Sequence, residues 1–275
     1  MKVARALTET RERLDEAGCE SPAVDAEILV AHVLGVSRSQ LALDTSRKLS
    51  KQEERALGRL VSRRETREPL AYVLGEWGIR RLTLGVDARV LVPRPETEVV
   101  VERCLVRIAA ADAPRVLDVG TGSGAIALAI ADEHPGARVT GVDASTGALE
   151  VAGANVVRTG LSVDLREWDL FTGLPEGPWD LVVSNPPYVL PEELATLEPE
   201  VRDWEPQQAL TGVGATEAVA RGACDVLADR GALVLEVAAG DAARVAALVE
   251  SLGYADVLAT KDLAGRDRVV EGTST

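Results

Sequence analysis

The chain has 275 residues, 46% of them hydrophobic and 27% charged, enough to bury a core for one large domain with a small one attached. No apolar run approaches the ~20 residues of a membrane span, and the first residues (MKVARALTETRERLDE) lack the apolar stretch of a secretory signal, so a cytoplasmic protein with no membrane partner is expected. The formal net charge of −14 works against a nucleic-acid partner, whose phosphates call for cations. The acid is unevenly placed: residues 1–80 hold 14 basic and 13 acidic side chains, the remainder 16 and 31. Cys19, Cys104 and Cys224 are widely separated and follow no metal-ligand spacing. They are expected to be small buried apolar side chains, with no metal site.

Residues 1–75 read as a helical domain. An amphipathic stretch covers 3–17; Ser21 as N-cap with Pro22 at the first helical position opens a second helix through Val24, Ile28, Leu29 and Val33, and Gly35 closes it. Ser50 and Glu53 form a capping-box signature for a third helix through Leu57, Leu60 and Val61, ended by Pro69. Its other face carries Lys51, Arg55, Arg59, Arg63 and Arg67, read as a solvated surface or as a face for a partner. Between Trp77 and Val92 the apolar residues alternate around Gly85, which predicts a β-hairpin linking two domains over 76–93. A helix is expected over 96–109. From Arg115 onward strands alternate with helices, the pattern of an α/β, doubly wound, Rossmann-like sheet filling 94–275. Strands are placed at 115–119, 138–142, 163–167, 181–184, 232–237, 254–260 and 268–271.

The run Val116-Leu117-Asp118-Val119-Gly120-Thr121-Gly122-Ser123-Gly124 leads from an apolar strand into a helix over 125–131. Glycines at alternate positions let the backbone approach a ligand and turn sharply at a helix N-terminus. The next strand ends in Asp143, whose carboxylate can accept both hydroxyl protons of a ribose, so a nucleoside cofactor is expected. A diphosphate binder spaces its glycines G-x-G-x-x-G. Here the spacing is G-x-G-x-G after an acidic Asp118, which would repel a diphosphate and tolerate the sulfonium and amino group of S-adenosyl-L-methionine.

The fourth strand delivers Asn185-Pro186-Pro187-Tyr188 at its carboxyl end, where ligands bind in open α/β sheets. The consecutive prolines make the turn rigid. An amide nitrogen conjugated to its carbonyl is a poor nucleophile. The side-chain oxygen of Asn185 and the Pro186 carbonyl can accept the two N–H hydrogens of such a nitrogen and aim it at a methyl carbon, with Tyr188 packed on the planar group. Planar side-chain or base nitrogens both fit that chemistry.

These runs, together with those starting at Ser21 (SPAVDAE), Glu68 (EPLAY), Leu91 (LVPRPETE), Glu198 (EPEVRDWEP) and Asp262 (DLAGRDR), resemble the HemK-type glutamine-N5 methyltransferases along essentially the whole chain. The resemblance implies a methyltransferase acting on the glutamine of the Gly-Gly-Gln motif of peptide-chain release factors. It also implies a helical N-terminal domain for substrate recognition, S-adenosyl-L-methionine held by Gly120, Thr121, Gly122, Ser123, Gly124, Asp143 and Asn185, and the catalytic run Asn185, Pro186, Pro187 and Tyr188. Leu170 is expected against the adenine, in a position where the family often carries Trp, with Trp168 as its neighbour. A methyltransferase acting on a ribosomal-protein glutamine would share these features. An adenine-N6 methyltransferase would too, although the acidic catalytic half argues against it. A non-catalytic nucleotide-binding module and a nicotinamide oxidoreductase are the readings from other classes.

Overall fold

The computed structural model describes residues 1–275, which divide into two compact units: Met1–Gly75 with Glu198–Trp204, and Glu76–Leu197 with Glu205–Thr275. No helix is long and apolar enough to cross a membrane.

The first unit is built from α1 (Val3–Glu16), α2 (Pro22–Leu34), α3 (Arg38–Leu43), α4 (Lys51–Glu65) and α5 (Leu70–Leu74), packed around Val3, Leu14, Leu29, Val30, Leu57 and Val61. Pro22 stands at the start of α2 and Gly35 closes it at φ 63°, but the Ser21 side chain makes no capping bond. The Ser50–Glu53 capping box is formed at α4. The basic face expected on α4 is only partly free. Arg63 is held by Glu68 and by the carbonyls of Tyr72 and Val73, and Arg67 by Glu198 and Glu200; Arg55 and Arg59 remain exposed. Arg64, which the helical pattern did not single out, is 5% exposed. It donates to Asp25 at 2.8 Å and to Glu200 at 2.8 Å. Glu200 lies in α9 (Pro199–Arg202), so the Glu198–Trp204 excursion is anchored in this unit by two arginines.

The second unit opens with β1 (Glu76–Ile79) and β2 (Leu82–Gly85), then α6 (Thr97–Ile108), and continues β3 (Arg115–Val119), α7 (Ala125–Glu133), β4 (Arg138–Asp143), α8 (Thr146–Thr159), β5 (Val163–Glu167) and β6 (Trp179–Ser184). After the excursion come α10 (Gln207–Leu210), α11 (Ala215–Val226), β7 (Leu227–Glu236), α12 (Ala242–Ser251), β8 (Ala255–Lys261) and β9 (Asp267–Thr273). The seven strands run in the order β5-β4-β3-β6-β7-β9-β8; the first five are parallel, and β9 is antiparallel to both β7 and β8. This is the doubly wound sheet expected from the alternation.

Strand side chains alternate between faces. Val116, Leu181, Val183 and Val234 pack under α6 and α7, whereas Leu117, Val119, Val182, Leu233 and Leu235 pack under α11 and α12. Both faces are therefore apolar and covered, as a parallel sheet requires. Cys19 and Cys104 are buried as expected, but Cys224 is exposed on α11.

The hairpin does not turn around Gly85, which ends β2: Ile79 pairs with Leu82, leaving Arg80 and Arg81 as a two-residue turn. Such a turn favours glycine where φ is positive. Arg80 adopts φ 52° and is held by two helices, its N–H donating to Glu98 and its guanidinium pairing with Glu133 at 2.7 Å. Ile79 and Leu84 seat the hairpin on Ala125 and Leu128 of α7.

Candidate active site

The carboxyl ends of β3, β4 and β6 open into a cavity of about 320 Å³, within the range of small-molecule sites. Gly120, Thr121, Gly122, Ser123, Asp143, Leu170, Asn185 and Pro187 line it. Gly124, Pro186 and Tyr188 do not.

Gly120 and Gly122 take φ of 74° and 56°, a region side-chain-bearing residues rarely adopt, so the loop can follow this path only with glycine there. The Asp118 carboxylate does not reach the cavity. It braces the loop from below, accepting from the Thr121 hydroxyl at 2.7 Å and from the Ala127 N–H at 3.2 Å. Its Oδ1 is buried without a partner, and burial pushes its carboxyl up to about 7 against those two bonds. Asp143 accepts from the Gly122 N–H and the Ser145 N–H, both at 2.9 Å. Burial raises its carboxyl and these backbone bonds oppose the rise.

A second brace was not visible in the sequence. Asn155 of α8, 1% exposed, accepts from the Gly85 N–H at 2.7 Å and donates to the carbonyls of Gly85 and Ser123 at 3.0 and 2.9 Å. One amide thereby ties the hairpin to the glycine loop. At the other strand end, Ser184 donates to the Val119 carbonyl at 2.7 Å, fixing β6 against β3 just before Asn185.

Asn185 lines the cavity and is partly exposed there. Tyr188 is half-buried; burial raises its phenol, and the charges of Glu236, Arg268, Arg94 and Glu96 act on it. Trp168 and Leu170 both line the cavity, with the Trp168 indole N–H fixed on the Gly173 carbonyl at 2.8 Å. Two further segments complete the wall: Arg89–Thr97, including Arg94 and Thr97, and Pro206–Gly212. Arg94 is paired with the buried Glu205 at 2.6 Å, which also accepts from the Val92 N–H. The runs at Leu91 and Glu198 were prominent as sequence, but nothing in their spacing placed them on a ligand wall.

Residues 5–75 match the family described as the PrmC N-terminal domain, and 98–198 match the Methyltransferase small domain. The release factor glutamine methyltransferase of Caulobacter vibrioides is 38% identical over 99% of this chain and 96% of its own. That of Deinococcus radiodurans is 40% identical over 98% of each chain. The chain belongs to the release factor glutamine methyltransferase family. It is a methyltransferase, and the HemK-type resemblance of its motifs agrees with that placement. Among solved structures, the T. thermophilus 16S rRNA N2 G1207 methyltransferase superposes with a TM-score of 0.54 at 19% identity, covering 73% of this chain and 50% of that one. A Pyrococcus furiosus methyltransferase gives 0.51 at 18%, covering 69% and 87%. At such identities these two speak for the Rossmann-like fold of this family member alone.

Proposed function

We propose that the chain transfers the methyl group of S-adenosyl-L-methionine to the side-chain N5 of a glutamine, the one in the Gly-Gly-Gln motif of peptide-chain release factors. The observation that supports this reading is that Asn185 and the glycine loop, residues 120–123, line one cavity, with Asp143 beside them. Family membership supplies the substrate class: relatives matched along nearly the full chain are named release factor glutamine methyltransferases.

The residues present suit the cofactor. Gly120 and Gly122 have open space where a Cβ would stand, so a ligand can lie against the backbone. Asp143, held by two backbone N–H groups, still offers lone pairs to ribose hydroxyls. Trp168 and Leu170 supply apolar surface for a purine ring. The lining carries Arg89 and Arg94 beside Asp143 and Asp169, so its charges balance, and Asp118 acts only from beneath by bracing the loop. When bound, the cofactor supplies an electrophilic methyl group on a sulfonium.

Catalysis by the chain is then orientation plus electrostatics. The Asn185 oxygen and the Pro186 carbonyl accept the two amide hydrogens, which draws electron density onto N5 and fixes its direction. The consecutive prolines and the Ser184 bond keep both acceptors in place. No base is needed before attack. Residues 120–123 and Asp143 would hold the cofactor while its methyl group passes to N5, the sulfur keeping the electron pair, and the strongly acidic N-methylated amide cation would lose its proton afterwards.

Mass spectrometry of purified release factors incubated with the enzyme and S-adenosyl-L-methionine tests the reading. A gain of one methyl group on the Gly-Gly-Gln glutamine is expected, and Asn185→Ala should abolish it while leaving cofactor affinity within a few fold. Methylation of a ribosomal-protein glutamine or of adenine in preference would overturn it, and activity of Asn185→Ala within about tenfold of the parent, under ~1.4 kcal/mol, would overturn the role of that residue.

A further inference from the structure

Glu236 ends β7, and its carboxylate has no part in the chemistry above. It is 1% exposed. Ser184 pairs with Leu235 at the end of the parallel register, and Asn185 and Glu236 are the residues that follow each of them. Its Oε2 accepts from the Thr97 hydroxyl at 2.8 Å. Thr97, the first residue of α6, is itself 4% exposed and lines the cavity. No cation lies within ion-pair distance of Glu236. Arg268 on β9 lies 3.8 Å from Glu96 and 3.5 Å from Asp262 with its Nε buried and without a hydrogen bond, close enough for its charge to act on Glu236 but outside ion-pair distance, and Arg94 is paired with Glu205. A buried carboxylate without a counter-ion costs stability, so its retention beside the reacting end of the cavity calls for a use.

We propose that Glu236 is a positioning residue that sets the polarity of the Thr97 hydroxyl, making it a hydrogen-bond acceptor toward an N–H donor of the bound ligand next to Asn185. A hydroxyl has one hydrogen and two lone pairs. While the carboxylate is ionised it takes that hydrogen, and only lone pairs face the cavity. When Glu236 is protonated its own O–H can donate to Thr97, the Thr97 hydrogen is free to turn inward, and an N–H donor meets a competing donor. Two ligands bring such a donor to this place: the α-ammonium of the cofactor and the acceptor amide of the protein substrate. The assignment rests on the cavity being the transfer site.

Geometry places the switch, and its electrostatic setting puts it near neutrality. Burial pushes the Glu236 carboxyl up to about 7; the Thr97 hydrogen bond and the charges of Arg268 and Arg94 oppose the rise, and Glu96 adds to it. Tyr188, after β6, is a further titratable group on which the charge of Glu236 acts. Protonation of Glu236 should therefore weaken donor binding as pH falls through about 7.

Three measurements on the full chain test this. First, carbon-detected NMR without ligand should show one glutamate carboxyl titrating near neutrality that is lost in Glu236→Gln; titration in the ordinary carboxylate range overturns the proposal. Second, binding of S-adenosylhomocysteine, which keeps the amino-acid end, is measured by calorimetry across that range. The parent should lose affinity on acidification by about tenfold. Glu236→Gln, which still accepts from Thr97 but cannot titrate, should be flat, and Thr97→Ser should behave like the parent. Comparing variants at each pH cancels the ligand's own titration. Third, the pH dependence of KM for the protein substrate is compared in the same variants. A difference confined to calorimetry assigns the donor to the cofactor, and one confined to KM assigns it to the acceptor amide. Parallel profiles for parent and Glu236→Gln in both arms overturn the proposal. The first two arms need no protein substrate, so failure of release-factor methylation would leave them standing.

Discussion

Replacing Asp118 by Asn should stabilise the protein at mildly alkaline pH and flatten its pH profile. Asp118 is 0% exposed, with two hydrogen bonds on Oδ2 and none on Oδ1. Burial lifts its carboxyl from 3.8 to about 7, which corresponds to roughly 4 kcal/mol between the two protonation states. The folded value is raised, so the folded chain holds the proton more tightly than the unfolded one. The stabilisation this gives is complete below about pH 4 and is lost as pH rises through about 7. From about pH 5 to about pH 8 the loss from this residue is about 3 kcal/mol. Asn keeps an oxygen for Thr121 and Ala127 and cannot ionise, but it leaves an amide N–H where Oδ1 had no partner, at a cost of about 1–3 kcal/mol. The variant should therefore be more stable than the parent at about pH 8 by roughly 1–3 kcal/mol, close to it at about pH 5, and less stable only below about pH 4. Urea unfolding followed by tryptophan fluorescence measures this, since Trp77, Trp168 and Trp179 all lie in the second unit with Asp118. Parent and variant profiles that run parallel within about 0.5 kcal/mol would refute the argument.

Other outcomes are expected. Asp143→Ala removes a charged acceptor from the ribose position and should weaken cofactor binding by at least about tenfold, with little effect on unfolding; calorimetry decides, and unchanged affinity would contradict the assignment. Arg64→Ala leaves Asp25 and Glu200 without their buried cation and should cost about 3–5 kcal/mol in denaturant unfolding of the first unit. A loss near that of an exposed pair, under about 1 kcal/mol, would mean that water relieves the site. A folded release factor should be methylated with far higher kcat/KM than a short Gly-Gly-Gln peptide, because a cavity gripping one planar amide cannot select among glutamines without remote contacts. Equal values for the two would rule out recognition beyond the amide.

Much of the catalytic half was legible because its signals are local. The strand at Arg115–Val119, the glycines that must take positive φ and the Asn-Pro-Pro-Tyr turn each declare themselves over a few residues. What escaped depends on partners far away in sequence. The hairpin turn fell on Arg80, whose positive φ is tolerated because Glu98 and Glu133 hold it, whereas turn chemistry favours glycine there. Asn155 reads as an ordinary helical residue until Gly85 and Ser123 are brought to it. Arg63 and Arg67 looked like a solvated stripe, yet both are consumed by carboxylates and carbonyls. Thr97 and Glu236 are 139 residues apart, and only the pairing of β6 with β7 and the placement of α6 reveal them as neighbours.

The excursion Glu198–Trp204 has a consequence for how the molecule can be taken apart. The backbone passes between the units at 75–76, at 197–198 and at 204–205. A cut before Glu76 therefore does not release the helical unit as a self-contained cassette. It removes Arg64 and Arg67 from Glu200 and leaves a charged seven-residue remnant between two segments that frame the cavity. Exchange of the helical part between relatives would have to carry two separate stretches of coding sequence at once. In this chain the helical unit is completed only by residues that the second unit's stretch of sequence carries.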